Sequence, residues 1–323
     1  MNLLEGPSSM PYLSGITIYP VKSLDGLGLS EATVLPGGAL MHDRRWRLVD
    51  AEGAVVNAKK NARFHAVRAN FDIEGIEGSR DGFKHASNAV TLSVDESVPG
   101  DLSSLGEETF PLVPGRDGPC GWLSEALAKE VFLQERFDGG FPDDRDAPGP
   151  TLISYESLQE VARWFGWDLE EARRRFRMNF EVRIEQDGEN NESSCQDLGM
   201  NLQGPFWEDS LVSPFAGKSV KATTVDSFEP EYPVGDPRQL QIGPIIFQTE
   251  GVCRRCAVPG RDSLTGVSSH LFRDSFEAFR LRRLPHTVEA SNWSDFYCLG
   301  INTTLTGDPG TIKIGQLLRI VSR

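Results

Sequence analysis

Tyr12-Leu13-Ser14-Gly15-Ile16-Thr17-Ile18-Tyr19-Pro20 alternates along its length and stops at a proline. A period of two, ended by a residue that cannot donate to a sheet ladder, is the signature of a short β-strand. The pattern repeats outward from it. Ala32-Thr33-Val34-Leu35 ends at Pro36-Gly37-Gly38, Arg45-Trp46-Arg47-Leu48-Val49 follows, and Ala51-Glu52-Gly53 turns the chain towards Ala54-Val55-Val56. Phe64 to Ile73 and Ala89 to Val94 continue the series. Short strands at this spacing, with Gly and Pro turns between them, predict a barrel or sandwich.

A helix is expected from Trp122 to Phe132. Residues 138–150 are rich in Pro, Gly and Asp with little to bury, so they read as a linker between a segment 10–137 and a segment 151–323. Beyond it, Ser154 is placed to cap a helix from Tyr155 to Phe165, and Asp168-Leu169-Glu170-Glu171 resembles a capping box opening another. Phe180 to Ile184, Leu240 to Phe247 and Thr311 to Val321 read as strands. Leu271 to Leu284 reads as a helix stopped by Pro285, and Gln186 to Gln203 as a polar surface loop. The fold class is therefore α+β, mainly β.

The chain has 323 residues, enough for two domains and a sizeable core. Its 33 basic and 47 acidic side chains give a net charge of −14. A surface of that sign repels phosphate backbones and anionic lipid, so no nucleic acid is expected as a partner. No apolar run approaches the roughly 20 residues of a membrane helix, and residues 1–10 lack a secretory signal's basic start and apolar run. Five cysteines, an odd number spread over a long chain, argue against a secreted disulfide framework. These features predict a soluble, cytoplasmic protein in a reducing compartment.

Against that acidic background Cys253-Arg254-Arg255-Cys256 stands out. Zinc would need two more ligands, yet Cys120, Cys195 and Cys298 stand alone and the histidines show no short ligand spacing. A disulfide closing so small a loop contributes only about 2 kcal/mol. A thioredoxin-like pair needs a helix starting at the first cysteine, and Pro259-Gly260 follow too soon. A thiolate bound to a soft metal is a fourth reading, since two guanidiniums favour the thiolate and attract an anionic ligand. Two small buried residues at a strand end is the fifth.

The wider context bears on that choice. Arg255-Cys256-Ala257-Val258-Pro259-Gly260-Arg261-Asp262-Ser263-Leu264-Thr265-Gly266 resembles the loop of the MOSC family, in which a cysteine precedes an apolar stretch and a D-x-x-T-G turn. Tyr19-Pro20-Val21-Lys22-Ser23 is similar to the opening of that family's N-terminal β-barrel domain, and Asp43-Arg44-Arg45-Trp46 to its D-R-x-W strand. Phe176-Arg177-Met178-Asn179, Phe206-Trp207-Glu208-Asp209 and the closing segment Gly310 to Gly315 resemble further family segments in family order. The resemblance implies an N-terminal MOSC β-barrel domain (10–137) followed by a MOSC β-barrel domain (151–323) with peripheral helices. It points to the amidoxime-reducing components and their bacterial counterparts, which hold a pyranopterin-dithiolene molybdenum cofactor and reduce N-hydroxylated compounds.

That family ligates molybdenum through one protein cysteine, which by position is Cys256, with Cys253 the second choice. Lys22, Arg44 and Arg177 lie on the matched motifs and are the implied cofactor-binding cations, joined by Ser23, Ser154, Asn179, Arg254 and Arg255. Asp209 is the implied proton donor for N–O cleavage. The spacing C-x₄-C-x₂-C of a fused iron–sulfur domain is absent, so a separate iron–sulfur or haem carrier with a flavoprotein reductase is the expected electron source. The stretch 211–238 is longer than in the shorter relatives and reads either as a substrate-access element or as an inert loop. The rival function is a carrier of the cofactor or of sulfur, because MOSC domains also end molybdenum-cofactor sulfurases. A cofactor-sensing regulator is a third, non-enzymatic reading.

Overall fold

The computed structural model describes residues 10–73, 88–95, 101–114, 118–184, 204–212, 238–285, 288 and 295–321. Its strands are β1 (Pro11–Ile18), β2 (Leu27–Leu29), β3 (Glu31–Val34), β4 (Trp46–Val49), β5 (Val55–Val56), β6 (Val67–Asp72), β7 (Ala89–Val94), β8 (Glu108–Pro111) and β9 (Phe132–Glu135), then β10 (Leu152–Ser154), β11 (Phe180–Ile184), β12 (Gln239–Ile242), β13 (Ile245–Arg254), β14 (Cys298–Leu305), β15 (Gly310–Lys313) and β16 (Leu318–Val321). The helices are α1 (Cys120–Leu127), α2 (Tyr155–Phe165), α3 (Leu169–Phe176) and α4 (Phe272–Arg282). The molecule is mainly β, as its sequence predicts. Among the described residues no helix is long and apolar enough to cross a membrane.

Eight strands form one sheet in the order β16-β12-β13-β14-β10-β11-β1-β2. Strands from both ends of the chain share it: β1 pairs antiparallel with β11 and β2, while β10 and β11 run parallel. Beyond the ladder, Tyr12 bridges Leu317, and Leu13 exchanges backbone bonds with Gln316 and Gly315. The β16 edge is thereby drawn back against β1. The inner face buries Leu13, Ile16, Ile18, Phe180, Phe247 and Ile301, and the alternating burial along β1 is the period of two seen in its sequence. A second core gathers around Trp46, Leu48, Leu92 and Leu123, between β4-β5-β9 and β6-β7-β8. A third packs α2, α3 and α4 through Phe176, Phe206, Phe272 and Phe276.

Local chemistry sets the helix ends. Ser154 caps α2, accepting from Ser157 N at 3.1 Å, and Asp168 caps α3, accepting from Glu171 N at 2.7 Å. The helix expected over 122–132 instead ends at Leu127, because Ala128 adopts a left-handed conformation (φ 50°) and returns its N–H to the last turn. The strand expected from Leu240 to Phe247 is a hairpin, folded at Gly243 (φ 56°), and Gly315 (φ 87°) likewise splits Thr311–Val321 into β15 and β16. The first part of Phe64–Ile73 is a 3-10 turn, Ala62–Ala66, capped by Asn61. The expected loop Gln186–Gln203 and most of 211–238 lie outside the described residues.

The stretch 138–150 is pinned at both ends. Phe141 N donates to Arg44 O at 2.8 Å and Gly149 N to Thr303 O at 2.9 Å. It therefore carries side chains to fixed positions between the two segments.

Candidate functional site

Strand β13 runs beside β14 with irregular register after Thr249 and after Val252, and Arg254 is its last residue, opposite Cys298. Arg255 N still bonds Tyr297 O at 2.9 Å; Cys256 then leaves the sheet and the chain turns through Val258–Gly260. The irregular register re-aims the end of the strand. Cys253 and Cys256 are both half-buried free thiols. The Arg255 guanidinium donates Nη1 to Cys253 Sγ at 3.0 Å and to Met178 Sδ at 3.5 Å, and Nη2 to Phe176 O. Arg255 thus ties the cysteine loop to the end of α3.

Arg177 is the residue after that helix. It holds φ 54° as the left-handed cap, its N–H returning to Arg173 O at 2.9 Å, and its guanidinium lies 4.1 Å from the centre of the Tyr19 ring. Arg44 approaches the same ring at 5.3 Å. The Tyr19 hydroxyl donates to Met178 O at 3.2 Å. Burial pushes its pKa up to about 12, with Arg177 and Arg44 opposing. Burial also lowers Arg177, and neighbouring Arg44 adds to the effect.

Lys22, Ser23 and Arg44 are contributed by the first segment. Lys22 bonds Asp143 at 2.8 Å and Phe141 O at 3.1 Å, and Arg44 bonds Asp43 and, at 3.1 Å, Asp143. Burial opposes ionisation of Asp143, yet Arg44 and Lys22 hold its carboxyl well below the ordinary range. Ser23 Oγ accepts from Ala58 N at 3.1 Å. Ser23 (φ 77°), Arg44 (φ 50°) and Arg177 (φ 54°) all sit in the left-handed region that side chains avoid. Such backbone survives where the surroundings enforce it, typically at functional sites.

The structure brings Lys22, Arg44, Arg177, Arg255 and the cysteine loop into one connected set, linked through Tyr19, Met178 and Asp143, while Ser23 bonds Ala58 instead. The other expected residues have separate work. Ser154 is fully buried; as well as capping α2 it bonds Ser157 Oγ at 2.6 Å. Asn179 pins strands together: its Oδ1 accepts from Thr151 N and Oγ1, and its Nδ2 donates to Thr17 O at 3.0 Å. Arg254 is exposed at the strand end. Asp209 is buried behind β14, its Oδ2 accepting from Arg280 Nη2 at 2.7 Å while Arg280 Nε donates to Cys298 O at 3.1 Å. Burial raises the Asp209 pKa and Arg280 opposes it. Next to it, burial and then Asp209 push Glu208 up to about 7.

A molybdenum cofactor presents a metal that takes a thiolate and a phosphate that takes cations. Cys256 accepts no hydrogen bond from the described residues, Arg177 and Arg255 have no carboxylate partner among them, and Arg255 Nε is buried without a partner. Unspent donors beside an accessible thiol fit such a group. By contrast, no three His, Cys, Asp or Glu gather among the described residues as a zinc site would require. Asp143, Tyr19 and Met178 escape a reading of the sequence, because Asp143 lies in apparent linker and the other two touch cations far along the chain.

Residues 10–130 match the model of the MOSC N-terminal beta barrel domain. The chain is a MOSC-domain protein. It is similar to a protein named molybdenum cofactor sulfurase from Oryza sativa subsp. japonica, 33% identical over 270 residues, which cover 79% of this chain and 29% of the relative. The protein of that name from Drosophila yakuba is 26% identical over 264 residues, covering 80% of this chain and 29% of the relative. The chain therefore spans less than a third of the length of these relatives. Among solved structures, the YUAD protein from Bacillus subtilis aligns over 98% of both chains at 10% identity with a TM-score of 0.35, too distant to add to the assignment.

Proposed function

We propose that this chain binds a molybdenum cofactor, with Cys256 as the thiolate ligand, and uses it to reduce N-hydroxylated compounds with electrons from a separate iron–sulfur or haem carrier. The observation that carries the reading is the half-buried Cys256 next in sequence to Arg255, whose guanidinium, like that of Arg177, forms no ion pair among the described residues of a protein of net charge −14. Arg177, Arg255, Lys22 and Arg44 would hold the anionic end of the cofactor. Lys22 and Arg44 are pre-positioned by Asp143, which an incoming phosphate would partly displace. The bound cofactor would supply a two-electron centre. In the overall reaction an N–O bond breaks, two electrons and two protons are taken up, and water leaves. With Asp209 held in a buried ion pair, the proton is better drawn from solvent at the open face of the cysteine loop.

Replacing Cys256 with Ser should abolish molybdenum in the purified protein while Cys253→Ser retains it; full molybdenum in C256S would overturn the reading. Cofactor-loaded protein should oxidise dithionite-reduced viologen when given benzamidoxime. A second reading is sulfur carriage, favoured by the similarity to molybdenum cofactor sulfurases and by the accessible Cys253 thiol three residues away. Absent dye oxidation, together with transfer of radiolabelled sulfur from a persulfide donor, would select it.

A further inference from the structure

The outer face of β4 and β9 carries a group of side chains that the proposed chemistry does not use. Trp46 and Leu48 point into the core, so Arg45 and Arg47 stand on the opposite face. The ladder pairs Arg47 with Gln134, and Arg47 Nε donates to Gln134 Oε1 at 3.0 Å. Arg136 N bonds Arg45 O at 2.9 Å, which sets Arg136 on the same face two residues further along. The Arg45 guanidinium bonds Glu135 at 2.6 Å and lies 4.5 Å from the Trp46 ring and 4.2 Å from the Phe137 ring. Phe137 is 68% exposed, a large ring held at the surface by that guanidinium.

The stretch 138–150 extends this face. Arg47 lies 4.1 Å from the Phe141 ring, and Arg145 is exposed four residues beyond. Burial and then Arg145 and Arg136 lower the Arg47 pKa. Of the carboxylates nearby, Glu135 serves Arg45, and Asp143 serves Lys22 and Arg44. Asp138 and Asp146 are exposed on the same stretch, yet Arg47, Arg136 and Arg145 form no ion pair among the described residues. Like charges on one face of paired strands are unfavourable, and this protein has 47 acidic side chains to 33 basic ones with which to relieve them. Unpaired arginines around an exposed phenyl ring have the composition of a protein-binding surface. A ring already held by a cation also loses little freedom on binding. The face is joined to the candidate site through one residue: Phe141 turns its ring to Arg47, while its carbonyl accepts from Lys22 Nζ at 3.1 Å and its N–H donates to Arg44 O at 2.8 Å.

We propose that this face, with Phe137 at its centre and Arg47, Arg136 and Arg145 around it, is where an acidic electron-carrier protein docks. Carboxylates of the partner pair the three guanidiniums, and an apolar depression takes the Phe137 ring. A local basic patch on an otherwise acidic protein steers an acidic partner to this side and away from the rest. Two one-electron deliveries here would supply the electrons of the N–O cleavage. The proposal rests on the reductase reading for the partner's role; the place of docking stands on the residues themselves.

The test uses the full-length, cofactor-loaded protein with an acidic plant-type [2Fe–2S] ferredoxin as the probe. Calorimetry at low salt should give saturable binding that weakens as salt is added. Phe137→Ser, and the double charge reversal Arg136→Glu with Arg145→Glu, should each weaken it about tenfold. All three side chains are exposed, and far-UV circular dichroism checks that both variants fold. Benzamidoxime turnover driven by reduced ferredoxin should fall with the binding, while turnover driven by reduced viologen, which needs no docking, stays at the wild-type rate. Absence of saturable binding to the wild type, or wild-type affinity in both folded variants, overturns the proposal. Self-association that Phe137→Ser abolishes would give the face to a second copy of this chain and overturn it as well. Viologen turnover without ferredoxin binding sinks the docking face and leaves the reductase reading standing. Ferredoxin binding that Phe137→Ser weakens, with no viologen turnover, sinks the reductase reading and leaves the docking face.

Discussion

Replacing Asp209 with Ala separates a structural carboxylate from a catalytic one. Arg280 is 0% exposed and Asp209 1%, with 2.7 Å between Nη2 and Oδ2. The same guanidinium lies 4.1 Å from the Phe206 ring and holds the Cys298 carbonyl on the strand that pairs with Arg254. Deleting the carboxylate strands a charge where water cannot reach it, which costs about 3–5 kcal/mol. With a urea dependence of roughly 3 kcal/mol per M, the unfolding midpoint should fall by about 1 M or more. The decisive assay is a double-mutant cycle in urea. Asp209→Leu and Arg280→Met should each destabilise strongly, while the double variant, an apolar pair of similar volume, recovers much of the loss. Single-variant losses that add to within about 0.5 kcal/mol would refute the ion-pair argument. An Asp209→Asn variant that folds but loses turnover at full cofactor content would restore the proton-donor role.

Glu208 should make stability depend on pH. Its folded pKa, about 7, exceeds the ordinary 4.5 through burial first, so the folded form keeps a proton that the unfolded chain has lost between those values. Stability should therefore fall as pH rises from 4.5 to 7, by about 3 kcal/mol in all, and Glu208→Gln should flatten the profile; an unchanged slope in E208Q removes the assignment. Ser154→Ala should cost about 1 kcal/mol in urea unfolding through loss of the α2 cap, and a neutral result would mean that the buried helix end finds another acceptor. Gly140→Ala meets Asp43 O at 2.5 Å and Arg44 O at 2.6 Å at φ 61°, so it should destabilise by more than about 1 kcal/mol and disturb the turn that brings Asp143 to Lys22. Wild-type stability in G140A would show that this turn yields easily.

What the sequence disclosed follows the range over which each interaction acts. Ser154 and Asp168 were legible as caps because the bond they make closes three residues away. The motif residues Lys22, Arg44 and Arg177 were legible because each is marked by its own neighbours and carries its backbone conformation with it. Strand β14 was not, although it lies centrally in the sheet: it is buried on both faces through Ile301, so it shows no alternation. The helix over 122–132 was overrun because nothing in Ala128 itself announces a left-handed residue. Pairings across the chain were beyond reach. Asp209 and Arg280 stand 71 positions apart, and an acidic residue beside a polar loop looks identical whether it faces water or a buried guanidinium.

The same distinction bears on the cysteine pair. The family resemblance implied Cys256 as the metal ligand and gave both arginines to the anionic cofactor. The structure spends Arg255 on Cys253, Met178 and Phe176 O, and sends Arg254 out to the surface. Cys253 is thereby tethered to the end of α3, whereas Cys256 sits one step beyond the backbone bond from Arg255 to Tyr297, with no hydrogen-bond donor at its sulfur from the described residues. A thiol held by a guanidinium would have to give up that contact to take a metal. A thiol that accepts no hydrogen bond from the described residues would not, which supports the proposal of Cys256 as the ligand apart from where the family motif places it.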